Sequence, residues 1–477
     1  MKNRRLALLL AGVIIVLAAI GGWWWRVQHP QLTLDPYAKI DGQTTYSLEI
    51  WVENDGGLCQ PPPLESEFWS DVTTAFHSLY PNIEISFEVV PASSLDEAME
   101  KALAAGRPPH VLVENAEWFR VWSDLQLPID RFLPEQERSN YFPAALAHVT
   151  VGENHMAWPC QIRPQIWAAN KKMLAGLGLD LAVLIDQLGD AATWKGYGWQ
   201  ELKDRLDKAK PIRQPYMAHA MGNSDTLLQL LVTLSGGVVG PKGELLLTKQ
   251  IIESVLTDWQ KWQDEKLLSM VQGTLLTDFV SGRKVAIGPV GPWIWGMGEN
   301  ARLRGYRSLS IPQDIVLIPP PGSTGENGYL GGTMVSVSVF RHRRFQGLAH
   351  SRLSMEFARS LSLKLGRELS KNNHGIPACR SVFHEWQQEM GLSASQSENL
   401  IEVLERSMGL PPLAAEWHEV RRRMVGEILI PALDEVILGR AGPDTAERLA
   451  LALGAELEAG KERKAKEKRR LPRISPW

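Results

Sequence analysis

Cysteine is scarce in this chain of 477 residues: Cys59, Cys160 and Cys379 stand far apart, and none belongs to a CxxC pair. That excludes a disulfide-stapled scaffold and a cysteine zinc site, because both need clustered thiols; at most one bridge could form. An excess of one charge is missing too. The net charge of −3 gives no overall attraction to nucleic acid. Also absent are the GxxxxGK[ST] phosphate loop, a strand-to-helix GxGxxG, the HExxH pair and the GxSxG elbow. The 11 histidines are scattered, and no His, Cys or carboxylate cluster has metal-ligand spacing. No cofactor and no metal are expected. Carboxylate pairs occur in any chain of this size, so a glycosidase acid–base couple stays open, although nothing singles one out.

What the chain has in abundance is tryptophan. Eighteen Trp outnumber both the 8 Tyr and the 11 Phe. Indoles offer flat, polarisable faces with one donor each, suited to sugars or cations, and equally to a core. The remaining composition, 44% hydrophobic and 22% charged, is that of a globular protein long enough for two or more lobes.

Lys2, Arg4 and Arg5 precede Leu6–Ile20, which holds no charge, and Trp23–Trp25 close the run. As a helix, Leu6–Trp25 spans roughly 30 Å, the thickness of a bilayer's hydrocarbon. The basic residues ahead of it put the body outside the cytoplasm, and the Trp triplet suits the interface. The rival is a cleavable signal peptide, but no A-x-A site precedes a plausible mature start. An uncleaved anchor over 1–28, followed by a polar tether over 29–43, is therefore the expectation.

Tyr46–Val52 alternates as a strand, Leu64–Leu79 has helical spacing, and Ile83–Val89 alternates again. Ser94-x-x-Glu97 is a capping-box pattern for a helix ending at Gly106, and His110–Val113 is a third apolar strand. Strand, helix, strand, helix, strand argues for a doubly wound, mostly parallel α/β sheet, whose ligands collect at the carboxyl ends of strands. Met156–Asn170, stiffened by Pro159 and Pro164, displays Arg163 and Gln165 and suits a crossing between lobes or an edge strand. In Phe279–Trp295, Lys284–Gly288 reads as a short strand. Gly288, Pro289, Gly291 and Pro292 should break it and lift Trp293 into a ligand cleft. The second half is richer in helices, over Thr226–Leu234, Lys249–Leu268, Phe345–Leu365, Ala414–Leu438 and Asp444–Leu457. Lys461–Arg473, dense in Lys and Arg, reads as a solvated tail.

Six stretches in order carry a family resemblance: LEIWVEND, YPNIEISFEVVP with its following helix and PPHVLVENAEW, YFPAAL through WAANKKMLAGLG, FVSGRKVAIGPVGPWIW, YLGGTMVSVS and GIPACRSVF. From about Tyr46 to Leu457 the chain resembles the extracellular solute-binding proteins of ABC importers, family 1, the maltose/oligosaccharide-binding type. The resemblance implies a two-lobe periplasmic-binding-protein fold of type II with hinge-crossing strands, here preceded by a transmembrane helix. The expected division is 44–163 with 331–378 for one lobe, 164–330 with 379–457 for the other, and a basic tail over 458–477. The implied activity is binding without catalysis: a carbohydrate, an oligosaccharide or related polyol, held between lobes that close and deliver it to a permease. A monomer is expected. By position the resemblance assigns Asn54, Asp55, Glu114, Glu117, Trp118, Arg163, Trp293, Arg380 and Trp417 to the ligand. Two departures stand out. Ile20 sits where a lipoprotein would carry its lipidated Cys, and Ala169 replaces the Tyr of the YNKxxL segment. The competing expectations are a membrane-anchored carbohydrate-active enzyme and a binding protein that reports to a sensor kinase.

Overall fold

The computed structural model of the chain describes residues 34–54, 61–116, 119–122, 125–170, 217–220, 224–265, 268–271, 287–290, 315–318, 329, 331–373, 375–390, 392–406 and 413–470. Alternation builds β1 (Tyr46–Asn54), whose Leu48, Ile50 and Val52 are buried on one face. α1 (Glu67–Leu79) buries Trp69, Val72 and Phe76 at helical spacing. β2 (Ile83–Pro91) lies parallel to β1 along its whole length. α2 (Ala92–Ala105) stops at Gly106, whose φ of 71° is the left-handed conformation that glycine adopts without strain. The expected capping box does not form: the helix starts at Ala92, Ser94 Oγ donates to the Pro91 carbonyl, and Glu97 pairs with Lys101. β3 (Val111–Ala116) returns parallel to β1.

Two short helices follow, α3 (Glu135–Arg138) and α4 (Pro143–His148), then the hairpin of β4 (Thr150–Val151) and β5 (Asn154–His155). The chain next runs through β6 (Ala157–Pro164) into β7 (Ile166–Asn170). Beyond them lie β8 (Met217–Ala220), α5 (Asp225–Ser235), α6 (Lys249–Asp264), β9 (Leu268–Val271), β10 (Ile287–Val290) and β11 (Ile315–Ile318). β12 (Gly332–Val339), α7 (Leu348–Asn373), β13 (Ile376–Pro377), α8 (Arg380–Glu389) and α9 (Ala394–Arg406) come next. The last helices are α10 (Ala415–Arg423), α11 (Ile430–Ile437) and α12 (Thr445–Arg470).

Two main sheets result, in the orders β13-β6-β12-β3-β1-β2 and β11-β7-β10-β8-β9. The first is mixed rather than mostly parallel, because β12 comes down antiparallel between β3 and β6. β6 belongs to the first sheet and β7 to the second, so Gln165 between them is a crossing residue. Pro164 lies opposite Gly332, which makes Tyr329–Gly332 a second crossing alongside the first. Side chains alternate along β7 between two cores. Ile166 and Ala168 join that of the first sheet, while Trp167 and Ala169 join α5, α6 and α10–α12.

α5 fastens the crossings with a polar stripe, Thr226, Gln229 and Thr233, at i, i+3 and i+7. The Gln229 amide, 1% exposed, donates to the carbonyls of Gln165 (2.9 Å) and Tyr329 (2.8 Å) and accepts from Trp167 Nε1 (2.8 Å). Gln165 Nε2 donates to Thr226 Oγ1, and Thr233 Oγ1 accepts from the Tyr329 N–H. Gly332, at φ 121°, lets the crossings touch: a Cβ there would collide with the Arg163 carbonyl oxygen and lie 2.9 Å from Pro164 Cα.

Four further expectations change. The segment from Leu34 to Thr44 is packed rather than a free tether. Leu34 and Ala38 are buried, Arg352 donates to the Ala38 carbonyl, and Asn82 donates to those of Asp41 and Thr44. α8 belongs with the first core, through Phe383 and Trp386, and α9 joins it through Leu400, Val403 and Leu404, although 379–457 was assigned to the second lobe. α9 also brackets the edge strand β11, since the Asn399 amide bonds both Leu317 N–H and C=O. β10 runs through Gly288 and Pro289 instead of breaking there; β8 bonds it only at Ile287, so the missing Pro289 N–H meets no ladder on that side. Finally α12 continues helical to Arg470, where a tail from 458 was expected.

Between α10 and α11 the helix widens into a π turn over Met424–Leu429. Pro431 supplies the cause: it has no N–H for the carbonyl four residues back, and its ring crowds that carbonyl. Among the described residues no helix is long and apolar enough to cross a membrane, and Leu6–Trp25 lies outside them.

Candidate functional site

The crossings meet the first sheet at the carboxyl ends of β1 and β3, and there the polar side chains converge. Odd positions of β1 and even positions of β3 face α2, which places Glu53 and Glu114 on the same side of the sheet, both buried. Glu53 Oε2 accepts from the Asn115 N–H (2.7 Å), and Oε1 accepts from Arg120 Nη2 (3.3 Å). Glu114 takes one hydrogen bond at each oxygen, from Trp122 Nε1 (3.3 Å) and Ser338 Oγ (3.2 Å). Burial pushes its carboxyl up to about 7; Arg120 opposes the shift and Glu53 adds to it. The guanidinium of Arg120 lies 5.6 Å from the Trp122 ring centroid, a cation–π pair.

The same network reaches the second lobe. Asp96 on α2 stands 3.8 Å from Arg120 and 3.8 Å from Arg422 on α10, and Glu419 holds Arg422 and Arg423. Glu53, Arg120, Asp96, Arg422 and Glu419 thus alternate in charge across the two lobes. Beside them His418 is buried, and burial with the Arg421 charge lowers its imidazole to about 3. A neutral ring donates once: Nδ1 accepts from Arg421 Nη2 (3.2 Å), which leaves Nε2–H for the Leu413 carbonyl (3.2 Å). Burial lowers Arg421 as well, to about 10, so it keeps its charge at neutral pH.

The expected residues divide. Asn54 ends β1 and Glu114 lies on β3, so both belong to this end of the sheet, while Arg163 comes one residue before the end of β6. Glu114 is wholly enclosed, and its oxygens are already committed to Trp122 and Ser338. Trp417, 6% exposed, packs in the second core against the turn at Gly243, where a Cβ would strike its ring. Little of its indole face is left for stacking. Arg380 is not brought to the others. It opens α8, pairs with Glu405, donates to the Ser139 carbonyl and stacks 4.8 Å over Phe142. Asp55, Glu117, Trp118 and Trp293 lie outside the described residues. β10 ends at Val290 opposite Ile166, one residue from the crossing. Glu53 stands at a strand end where ligands of such sheets collect, but Arg120 and Trp122 were passed over in the sequence, although Trp122 repeats the indole of Trp118 at i+4 after a strand end.

No group of His, Cys, Asp or Glu among the described residues has the geometry of a metal site. Cys160 and Cys379 are buried free thiols.

Comparison with known proteins agrees with this architecture. Residues 61–338, more than half of the chain, match the family described as bacterial extracellular solute-binding protein. No curated protein sequence matches. Among solved structures, the sugar-binding protein MalE from Xanthomonas citri superposes with a TM-score of 0.61 at 16% identity, over 88% of this chain and 99% of that one. The cyclic alpha-maltosyl-1,6-maltose binding protein of Arthrobacter globiformis gives 0.57 at 15%, over 87% and 100%. The GacH receptor of Streptomyces glaucescens, solved free and with acarbose, gives 0.55 at 16%, over 87% and 99%. At such identity the structures speak for the two-lobe fold, and the family match for membership: the chain belongs to the bacterial extracellular solute-binding proteins.

Proposed function

We propose that this protein binds a carbohydrate, an oligosaccharide or related polyol, between its lobes, closes by hinge motion and delivers it to an ABC permease. One observation carries the reading: a charged, indole-bearing network lies where both crossings leave the first sheet and reaches α10 of the other lobe. Carboxylates and guanidinium groups at such a junction offer bidentate partners to hydroxyls, and indoles offer stacking faces to sugar rings. Glycan ligands in the names of the similar structures point the same way. Asn54, Asp55, Glu117, Trp118, Arg163 and Trp293 are the proposed contacts, with Arg120 and Trp122 added. Glu114 serves from beneath by fixing the Trp122 indole. Residues 1–28 hold the body to the membrane on its outer side.

Tryptophan fluorescence of a soluble form beginning at Leu34, titrated with α-linked and β-linked oligosaccharides, tests the reading. A saturable change with the sugar recovered intact is expected, and Trp293→Ala should cost on the order of 2 kcal/mol of binding with the fold kept. Appearance of cleaved sugar would transfer the cleft to a carbohydrate-active enzyme.

A further inference from the structure

We propose that His418 is the contact through which closure of the cleft answers to pH: acid charges this ring, drives α10 away from the first lobe and opens the cleft. This rests on the hinge closure proposed above. His418 lies on α10, whose Trp417 and Val420 belong to the second core, yet its Nδ1 stands 3.3 Å from the carbonyl oxygen of Phe119, a residue of the first core. The Phe119 ring meets the imidazole edge-on, with centroids 6.4 Å apart. Phe119 opens the stretch that carries Arg120 and Trp122. α10 therefore bears directly on two of the proposed ligand contacts, through His418 and again one turn on, where Arg422 faces Asp96. Leu413 completes the seam: its carbonyl accepts from the Gly152 N–H after β4 (2.8 Å) and from His418 Nε2 (3.2 Å).

The arrangement suits a neutral ring. Arg421 Nη2 donates to Nδ1 at 3.2 Å, and Nδ1 accepts only while it carries no proton. A proton there sets imidazolium against guanidinium in a buried seam, His418 and Arg421 each being 4% exposed, where like charges repel strongly. The Phe119 carbonyl would accept from a protonated Nδ1, but one hydrogen bond does not offset two facing cations without water. His148 on α4 also acts on the ring, and its charge adds to the repulsion. Tyr329 of the second crossing faces Arg421 and carries no charge at neutral pH. Glu419, next along α10, is taken by Arg422 and Arg423. Parting α10 from Phe119 admits water to the ring and lets it charge. The open form thus binds a proton that the closed form refuses, so closure is fully supported above about 6.5 and loses support as pH falls toward 3. With the ring at about 3 when closed and at its ordinary 6.5 when open, the closed-to-open ratio should fall up to about 25-fold between pH 7 and 5.

Double electron–electron resonance on the full chain tests this. Nitroxides are placed at Leu79→Cys on α1 of the first lobe and Leu451→Cys on α12 of the second, 69% and 67% exposed in the parent, in a Cys59→Ser background. Circular dichroism at each pH checks that the chain stays folded. The distance distribution should pass from a closed to an open population between pH 7 and 5, and Glu114→Gln should leave that response in place. His418→Gln should hold the closed distribution at pH 5. Should that variant not fold, Arg421→Gln, which removes the facing cation, should shrink the response. Two populations whose pH response is the same in folded His418→Gln, or a shift toward the closed form in acid, overturn the role of His418 and leave the hinge standing. A single distance at every pH in the folded parent removes the hinge motion, and this inference with it.

Discussion

Replacing Gln229 by alanine should destabilise the protein through three groups in neighbouring segments. Its amide is the shared partner of Trp167 Nε1, the Gln165 carbonyl and the Tyr329 carbonyl, at 2.8–2.9 Å. Tyr329 O keeps a bond from the Gly331 N–H (3.1 Å), so its loss is partial. The Trp167 indole is fully buried and would be left unsatisfied together with the Gln165 carbonyl, at about 1–3 kcal/mol each. The truncated side chain adds about 1 kcal/mol of cavity. The expected loss is therefore roughly 3–7 kcal/mol, read from equilibrium urea unfolding followed by circular dichroism. Gln229→Glu discriminates further. Its carboxylate still accepts from Trp167 but faces two carbonyls, so it should be more destabilising at pH 8 than at pH 5, where the acid form can donate. Gln229→Ala within about 1 kcal/mol of the parent, or a Glu variant indifferent to pH, would refute the claim that this amide joins the crossings.

Glu114→Gln should flatten the dependence of stability on pH. A carboxyl raised to about 7 in the folded chain contributes stability that is complete below its unfolded value near 4.5 and is lost as pH rises through 7. The parent should lose up to about 3 kcal/mol more than the variant between pH 5 and 8. His418, lowered to about 3, acts in the opposite sense: its contribution is present above about 6.5 and wanes as pH falls toward 3, a slope that His418→Gln should reduce in acid unfolding. Gly332→Ala forces a collision between the crossings at φ 121° and should cost about 2–5 kcal/mol, whereas Gly331→Ala, with its nearest neighbour at 3.5 Å, should be mild; urea midpoints compare them. The Asp96–Arg422 pair is half exposed at 3.8 Å, so a double-mutant cycle on ligand affinity should give less than about 1 kcal/mol, shrinking with salt.

How far the sequence could be read depended on how local the cause was. β1, β2 and β3 announce themselves by alternation, and Gly106 ends α2 because only glycine is at ease in that conformation. Where partners decide, the pattern falls silent. Ser94 and Glu97 spell a capping box, yet the helix starts before them because Pro91 and Ala92 already turn the chain. Pro289 reads as a breaker until β8 is known to stop short of it. Phe383 and Trp386 show that α8 has an apolar face without saying which core receives it. At the site, residue type told of hydrogen-bonding capacity but not of its use. Glu114 spends both oxygens on Trp122 and Ser338, and Arg380 is consumed by Glu405 and Phe142. Gln229 had a signal, one amide in the apolar run TLLQLLVTL with Thr at i−3 and i+4, that only the crossings make meaningful.

The π turn at Met424–Leu429 has a consequence for lineage as well as for packing. A helix rotates about 100° per residue, so the widened turn acts as an inserted residue that resets the phase of all that follows. Leu433, Val436 and Ile437 face the core because of that offset. Replacing Pro431 so that an ordinary helix forms at the same length would swing those three side chains toward water by about 100°, whereas deleting one residue as well would keep them facing the core. Insertions and deletions in this stretch are therefore not interchangeable with those in loops: length here is a coordinate of the fold, inherited together with the proline or not at all.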